Sequence, residues 1–212
     1  MGNPLKMKAS GTLLAICGLL LFPLASAAQE FHFYGGYNGS NVAKAGEENW
    51  TGRSGYQFGA DVVIGNRWFL KPGIAVLVRN LDYTYAGTAP DGSMVYPDDN
   101  FDYTSRSLLI PVMLGLNLFD PASDPALNVY IMGGPSAMMN LNADLNNDAL
   151  HVETNSTQWY LGFGGGLEFS FLFLEAGYDV AMSNVFEGSG FDTNPKVNFL
   201  HLNAGVRLKL AR

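Results

Sequence analysis

The feature that most constrains the fold is the strict alternation of apolar and polar residues along segment 196–210. One side of an extended chain would carry only apolar side chains: Leu200, Leu202, Ala204, Val206, Leu208 and Leu210. The other side would carry mostly polar ones: His201, Asn203, Gly205, Arg207 and Lys209. Successive side chains of a β-strand point to opposite faces, so this pattern predicts a strand with one wholly apolar face.

Similar segments recur along the chain, and most reach the roughly 9–11 residues that a tilted membrane strand requires. We predict eight strands, at residues 30–38, 55–65, 68–85, 102–119, 127–141, 157–170, 172–185 and 196–210. The composition agrees, because the chain has 25 glycines, which disfavour helices, and 13% aromatic residues, which favour strands.

The connections between these segments alternate in length. Those after strands one, three, five and seven are long and polar, at 39–54, 86–101, 142–156 and 186–195. Those after strands two, four and six are short, at 66–67, 120–126 and around Phe171. Tight turns on one side and long loops on the other are typical of outer-membrane barrels. The sequence therefore predicts an all-β fold, an eight-stranded antiparallel up-and-down transmembrane β-barrel with both termini in the periplasm.

The first 28 residues have the layout of a secretory signal peptide. Lys6 and Lys8 precede an apolar run at 13–24, and small residues follow at 25–28. We expect cleavage near Ala28, which leaves residues 29–212 as the barrel domain in the bacterial outer membrane. A lipoprotein leader processed at Cys17 is the less favoured alternative. Cleavage would remove Lys6 and Lys8 and change the net charge from -7 to -9. Because nucleic-acid binding requires a basic surface, we expect no nucleic-acid partner.

A soluble eight-stranded barrel of the lipocalin type is the main structural rival. It would bury the apolar face around a ligand and expose the charged face. The apolar face consists almost entirely of Leu, Val, Ile, Ala and aromatic residues, as a lipid-facing surface should. Together with the leader, the long strands and the loop rhythm, this favours the membrane barrel, with outer-membrane lipid as its surroundings. Aromatic residues at strand ends would form its interfacial girdles, namely Trp68, Tyr83, Tyr85, Trp159 and Phe199.

Several strands also resemble the PorT-like family of outer-membrane β-barrels. The segment Arg106–Leu118, RSLLIPVMLGLNL, is similar to that family's Leu-x-Ile-Pro-Leu strand, and Tyr130–Pro135, YIMGGP, resembles the strand that follows it. The strands around 162–167, 175–178 and 200–210 are similar as well. The resemblance covers nearly the whole chain after the leader. We expect a non-enzymatic protein with a structural or partner-binding role in the cell envelope, and long loops that face its partners. The resemblance implies that this role is in protein secretion or assembly.

Eight charged residues fall on the face that we place inside the barrel. An eight-stranded barrel is just wide enough to be filled by side chains, and buried charges must be paired. We predict that these residues form a structural charge network: Asp61, Lys71, Arg79, Glu168, Glu175, Asp179, Arg207 and Lys209. For Arg207 we expect a partner among Glu175 and Asp179 on the neighbouring strand, or Glu168 across the barrel.

Other functions have weaker support in the sequence. A lipid-modifying enzyme would need a serine beside a histidine, and no motif joins His32, His151 or His201 to Ser136, Ser170 or Ser183. A narrow passive channel through the charged interior remains an alternative. The acidic stretches around 91–102 and 144–153 only faintly resemble calcium loops. We therefore expect no catalytic, cofactor-binding or metal site.

Overall fold

The structure is a computed structural model, which describes residues 30–43, 49–84, 87–88, 94–95, 100–120, 126–145, 157–183 and 196–210. These residues form strands and turns, and none of them forms a helix long and apolar enough to cross a membrane. The strands are β1 (Glu30–Ala43), β2 (Asn49–Gly52), β3 (Ser54–Gly65), β4 (Trp68–Thr84), β5 (Gly87–Thr88), β6 (Met94–Val95), β7 (Asn100–Asn117), β8 (Leu127–Leu145), β9 (Thr157–Phe169), β10 (Leu172–Ala181) and β11 (Lys196–Lys209).

Antiparallel pairing carries the sheet around into a closed barrel. Its two ends meet because β1 pairs with β11 along its whole length, from Glu30 opposite Lys209 to Ala43 opposite Lys196. β2 and β3 both pair with β4 and are separated only by Arg53, so they act as one barrel strand. β5 and β6 form a separate small hairpin between β4 and β7. The barrel thus has eight antiparallel strands, as the sequence predicts.

Three predicted strands are clearly extended at the end that carries the long connections. β1 continues to Ala43, β7 begins at Asn100 and β8 runs to Leu145, whereas β10 ends at Ala181, before the predicted end at residue 185. The ladder between β4 and β7 continues to the pair Thr84 and Asn100. The alternation of apolar and polar residues ends where a strand leaves the hydrocarbon part of the membrane. Backbone hydrogen bonding continues beyond that point, because it does not require an apolar face. Sequence periodicity therefore located the apolar part of each strand better than its polar end.

The two faces of the sheet are those predicted for a membrane barrel. Apolar side chains point away from the barrel axis: Phe163 and Leu174 keep about half of their surface exposed, at 55% and 54%. Charged side chains point inward, and Arg79 and Lys71 are 0% and 3% exposed. A lipocalin would show the reverse arrangement, so that alternative is wrong. Such an outer surface is stable only in an apolar solvent, because each Å² of apolar area left in water costs about 25 cal/mol.

The short turns require unusual backbone conformations. Gly65 has a φ of 122° at the turn between β3 and β4, a conformation that a side chain would strain. Ser170 has a φ of 55° in the two-residue turn that joins β9 to β10. Both turns lie at the end of the barrel that also holds Glu30 and Lys209, the first and last strand residues described. One end of the barrel thus has tight turns and the other has the long connections.

Aromatic rings lie on both faces, and this corrects one expectation about the girdles. Trp68 and Trp159 are exposed on the outer surface near strand ends, as predicted. Phe199 is fully buried instead, and its ring lies 5.2 Å from that of Tyr160 inside the barrel. Phe199 is two residues before the inward-facing His201 on the same strand, so both side chains point to the same side of the sheet. The side chain of Tyr83 and all of Tyr85 lie outside the described residues, as does the predicted leader at residues 1–28.

Candidate functional site in the barrel interior

Polar and charged side chains project into the barrel from its strands. Seven of the eight residues predicted for the charge network are buried there: Asp61, Lys71, Arg79, Glu168, Glu175, Asp179 and Arg207. The eighth, Lys209, is exposed, which corrects the prediction that it lies within the interior. Lys209 is two residues after the inward-facing Arg207, so it is on the same side of β11, and it lines a cavity at the barrel mouth. As the last residue of β11, it lies where the lumen opens to solvent.

At the short-turn end, Arg207 of β11 lies in a group that we call the end cluster, made of Glu30, His32, Glu168 and Arg207. The Arg207 guanidinium contacts Oε2 of Glu168 and lies 3.4 Å from Oε2 of Glu30. Its Nε donates a 2.7 Å hydrogen bond to the carbonyl of Ser170 in the β9–β10 turn. Arg207 thus pairs with Glu168, two strands away on β9, and with Glu30 on the adjacent strand β1. Glu175 and Asp179, which we expected first, contact Lys71 and His201 instead, because their register places them farther along β10.

Midway along the barrel, Lys71 of β4 lies between two carboxylates in what we call the central cluster, made of Asp61, Lys71, Tyr130 and Glu175. Its Nζ is 3.2 Å from Oδ2 of Asp61 and contacts Oε2 of Glu175. The Tyr130 hydroxyl donates a 2.8 Å hydrogen bond to the same Glu175 oxygen. One cation therefore faces two buried anions, and a phenol stabilises one of them.

The next pair toward the long-loop end is His201 of β11 and Asp179 of β10. Nδ1 of His201 is 3.0 Å from Oδ2 of Asp179, and the Ser136 hydroxyl donates to the other Asp179 oxygen at 3.3 Å. A nucleophilic serine must bond to the histidine, whereas Ser136 bonds to the carboxylate. The Ser183 hydroxyl accepts a bond from the backbone amide of Trp159. The geometry of these described residues is that of a structural hydrogen-bond network.

Farther toward the long loops, Arg79 of β4 is fully buried beside neutral groups. It donates to the Tyr160 hydroxyl at 3.0 Å and to Oε1 of Gln158 at 3.4 Å. The Tyr160 hydroxyl donates to that same Gln158 oxygen at 2.7 Å. These polar and ionic layers fill the cross-section of the barrel at successive heights.

Two small cavities lie between these layers. One of about 60 Å³ opens at the short-turn end, and one of about 30 Å³ lies near mid-barrel. Lys71 lines both of them and lies at the boundary between them. Each holds only a few water molecules, since one water needs about 10–15 Å³ of such volume. Between them the interior is packed with side chains.

Residues 26–187 match the family model described as the outer membrane protein beta-barrel domain. The chain belongs to this family. As an outer-membrane barrel it has its apolar outer surface in contact with lipid, and its short turns, by the general rule for these barrels, face the periplasm. No curated protein matches the chain in sequence.

Two solved structures of outer-membrane proteins are similar to this chain, and the first of them shares its fold. OprG from Pseudomonas aeruginosa matches 87% of this chain over 98% of its own, with 14% identity and a TM-score of 0.55. Ail, the attachment invasion locus protein of Yersinia pestis, solved in complex with the heparin analogue sucrose octasulfate, matches 85% of this chain over 99% of its own, with 17% identity and a TM-score of 0.47. Identities this low show the fold alone. The narrower resemblance to PorT-like proteins and the cleavage site near Ala28 stay predictions.

Sequence reasoning missed several interior residues of the barrel. Glu30 and His32 belong to the end cluster, yet strand one has aromatic residues at both parities, which hid its inward face. Asn128 and Tyr130 were missed because both are uncharged, and the predicted network contained charged residues alone. The signal in the sequence was the spacing of two between Glu30 and His32, which places both on one face of a strand.

The acidic stretches that faintly resemble calcium loops have their side chains outside the described residues. Asp91, Asp98, Asp148 and Glu153 lie outside the described residues, and so does His151.

Proposed function

We propose that this outer-membrane barrel is a non-enzymatic protein that acts as a sealed anchor. Its long loops form a surface for partner proteins of the cell envelope, in secretion or assembly as the PorT-like resemblance implies. The single observation that carries the proposal is the side-chain packing of the described interior, where ionic and polar groups lie at successive heights and the cavities beside Lys71 measure about 60 and 30 Å³. A packed interior favours a scaffold over a conduit, and binding residues concentrate in loops held by a rigid scaffold.

In-vivo photo-crosslinking tests where the partner binds. A photoreactive amino acid is placed in the long connections, for example at Asp91 or Asp148, and in matched variants at Arg67 or Phe171 in the short turns. We expect specific protein adducts from the long connections and none from the short turns. Adducts only from the short turns would contradict the proposal and place the partner in the periplasm.

Planar-bilayer recording and lipid analysis test the two alternatives. Purified protein should give no conductance steps, because side chains pack the described part of the interior. Stable unitary conductance of the wild-type protein would contradict the sealed barrel and favour a channel. A deletion strain should retain unchanged lipid A and phospholipid profiles, whereas loss of a modified lipid species would favour an enzyme.

A further inference from the structure

Three side chains of metal-ligating type meet at the periplasmic end of the barrel. Glu30 and His32 of β1 and Glu168 of β9 each offer one ligand atom, and these atoms lie within 4.8 Å of one another. Nε2 of His32 is 3.3 Å from Oε2 of Glu30 and 4.0 Å from Oε1 of Glu168. Two strands on opposite sides of the end cluster thus bring one imidazole and two carboxylates together.

The imidazole of His32 is held in place by packing. His32 is 1% exposed, and its ring stacks on Phe173 with centroids 4.5 Å apart and an interplanar angle of 29°. Its Nδ1 has no hydrogen-bond partner among the described residues. Ligating histidines are usually oriented by a hydrogen bond from their second nitrogen. Here the stacking on Phe173 orients the ring and directs Nε2 toward the carboxylates.

Glu168 is oriented from its other side. Arg207 and Asn128 both bind Oε2 of Glu168, the latter at 3.0 Å, and Oε1 is the oxygen nearest to His32. Arg207 also lowers the repulsion between the two carboxylates. With His32 neutral, the end cluster of Glu30, His32, Glu168 and Arg207 has a net charge of -1, and Lys209 lines the same cavity at its mouth.

The cavity beside these residues has room and a polar group for the water that such an ion carries. The cavity of about 60 Å³ is lined by Glu30, His32, Glu168 and Asn128. Asn128 is 7% exposed, and its Oδ1 has no hydrogen-bond partner among the described residues. A buried acceptor left unpaired costs about 1–3 kcal/mol. A water molecule bound to the ion would supply the missing donor.

We propose that Glu30, His32 and Glu168 bind a divalent transition metal, with Zn²⁺ the best match, and that water occupies its open position in the cavity. Imidazole nitrogen with carboxylate oxygen is a ligand set of zinc, while calcium and magnesium prefer oxygen alone. Three protein ligands plus water is a common zinc arrangement. The ion would join β1 to β9 across the lumen beside the β1–β11 seam. This inference does not depend on the proposed function.

Titration of the folded, leader-free protein in detergent with Co²⁺ tests the proposal, because a tetrahedral cobalt site has visible absorption bands. The chain has three histidines, so matched variants are available. We compare the wild type with His32→Gln and Glu168→Gln, and with the controls His151→Gln and His201→Gln. A heat-dependent gel shift verifies that each variant is folded.

The wild type and both controls should bind one Co²⁺ per chain, displaced by Zn²⁺ but not by Ca²⁺ or Mg²⁺. His32→Gln and Glu168→Gln should weaken binding by about tenfold or more. If His32→Gln does not fold, the His151→Gln/His201→Gln double variant retains His32 as its single histidine and should keep the absorption bands. Absence of bands in the wild type, unchanged binding by His32→Gln, or loss of binding in His151→Gln would overturn the proposal.

Discussion

Arg207 of β11 and Glu168 of β9 form an ion pair that spans the intervening strand β10. The pair joins β11 to β9 inside the barrel. Arg207 also donates a hydrogen bond to the carbonyl of Ser170 in the turn between β9 and β10. This contact therefore fixes three strands and a turn together at the periplasmic end.

Replacing Arg207 with alanine should destabilise the barrel strongly. The change leaves Glu168 buried without its cation, and loss of one partner of a buried pair typically costs about 3–5 kcal/mol. The free energy of unfolding, measured by urea denaturation in lipid vesicles, should fall by an amount in this range. Leu208→Ala is the matched control. The Leu208 side chain is next to Arg207 in sequence, faces lipid and is 54% exposed. Equal losses in the two variants would contradict the inward position of Arg207.

Lys71 should show strong coupling to the carboxylates beside it. Lys71→Met leaves Asp61 and Glu175 facing each other in the interior, so we expect a loss of about 3–5 kcal/mol in unfolding free energy. Adding Glu175→Gln removes one of the uncompensated charges and should recover part of that loss. A double-mutant cycle measures the coupling. Strictly additive effects would mean that Lys71 and Glu175 do not interact.

The faces of the strands could be predicted from the sequence, whereas the partners inside could not. Alternation along β9, β10 and β11 determined which side chains point inward, because backbone geometry alone sets that parity. Which charge meets which depends on strand register and on reach across the lumen. Arg207 was expected beside Glu175 or Asp179, with Glu168 as the alternative, and the structure shows the contact with Glu168. Which face of β1 points inward could not be predicted, because aromatic residues lie on both faces. Glu30 and His32 of the end cluster were missed for that reason.

Ser170→Gly should stabilise the barrel through its backbone. Ser170 has a φ of 55°, a left-handed conformation that costs a residue with a side chain about 1–2 kcal/mol, and glycine avoids this cost. We expect a gain of up to about 1 kcal/mol in unfolding free energy, reduced by the greater freedom of glycine in the unfolded chain. Ser170→Ala separates this effect from loss of the hydroxyl and should give no gain. A gain in both variants would assign the effect to the hydroxyl.

A charge on the outer face should cost most near the middle of the membrane. Phe163 is exposed near the centre of β9, and Phe163→Arg should lower the unfolding free energy by about 2–4 kcal/mol. Trp68→Arg, at the end of β4, should cost about 0–1 kcal/mol because it lies near the interface. Phe163→Leu controls for loss of the ring. Tolerance of Phe163→Arg comparable to that of Trp68→Arg would contradict the placement of Phe163.

The central claim is that the apolar face of the sheet contacts lipid, and spin labelling measures this most directly. The only cysteine is Cys17, so single labels can be placed in a Cys17→Ser background at Leu161, Phe163, Leu174 and Leu202, with Arg67 as the water-exposed control. In lipid vesicles, the four outward labels should relax rapidly with oxygen and slowly with a water-soluble nickel chelate, while the Arg67 label shows the reverse. Nickel-chelate accessibility at the four positions equal to that at Arg67 would contradict the membrane barrel.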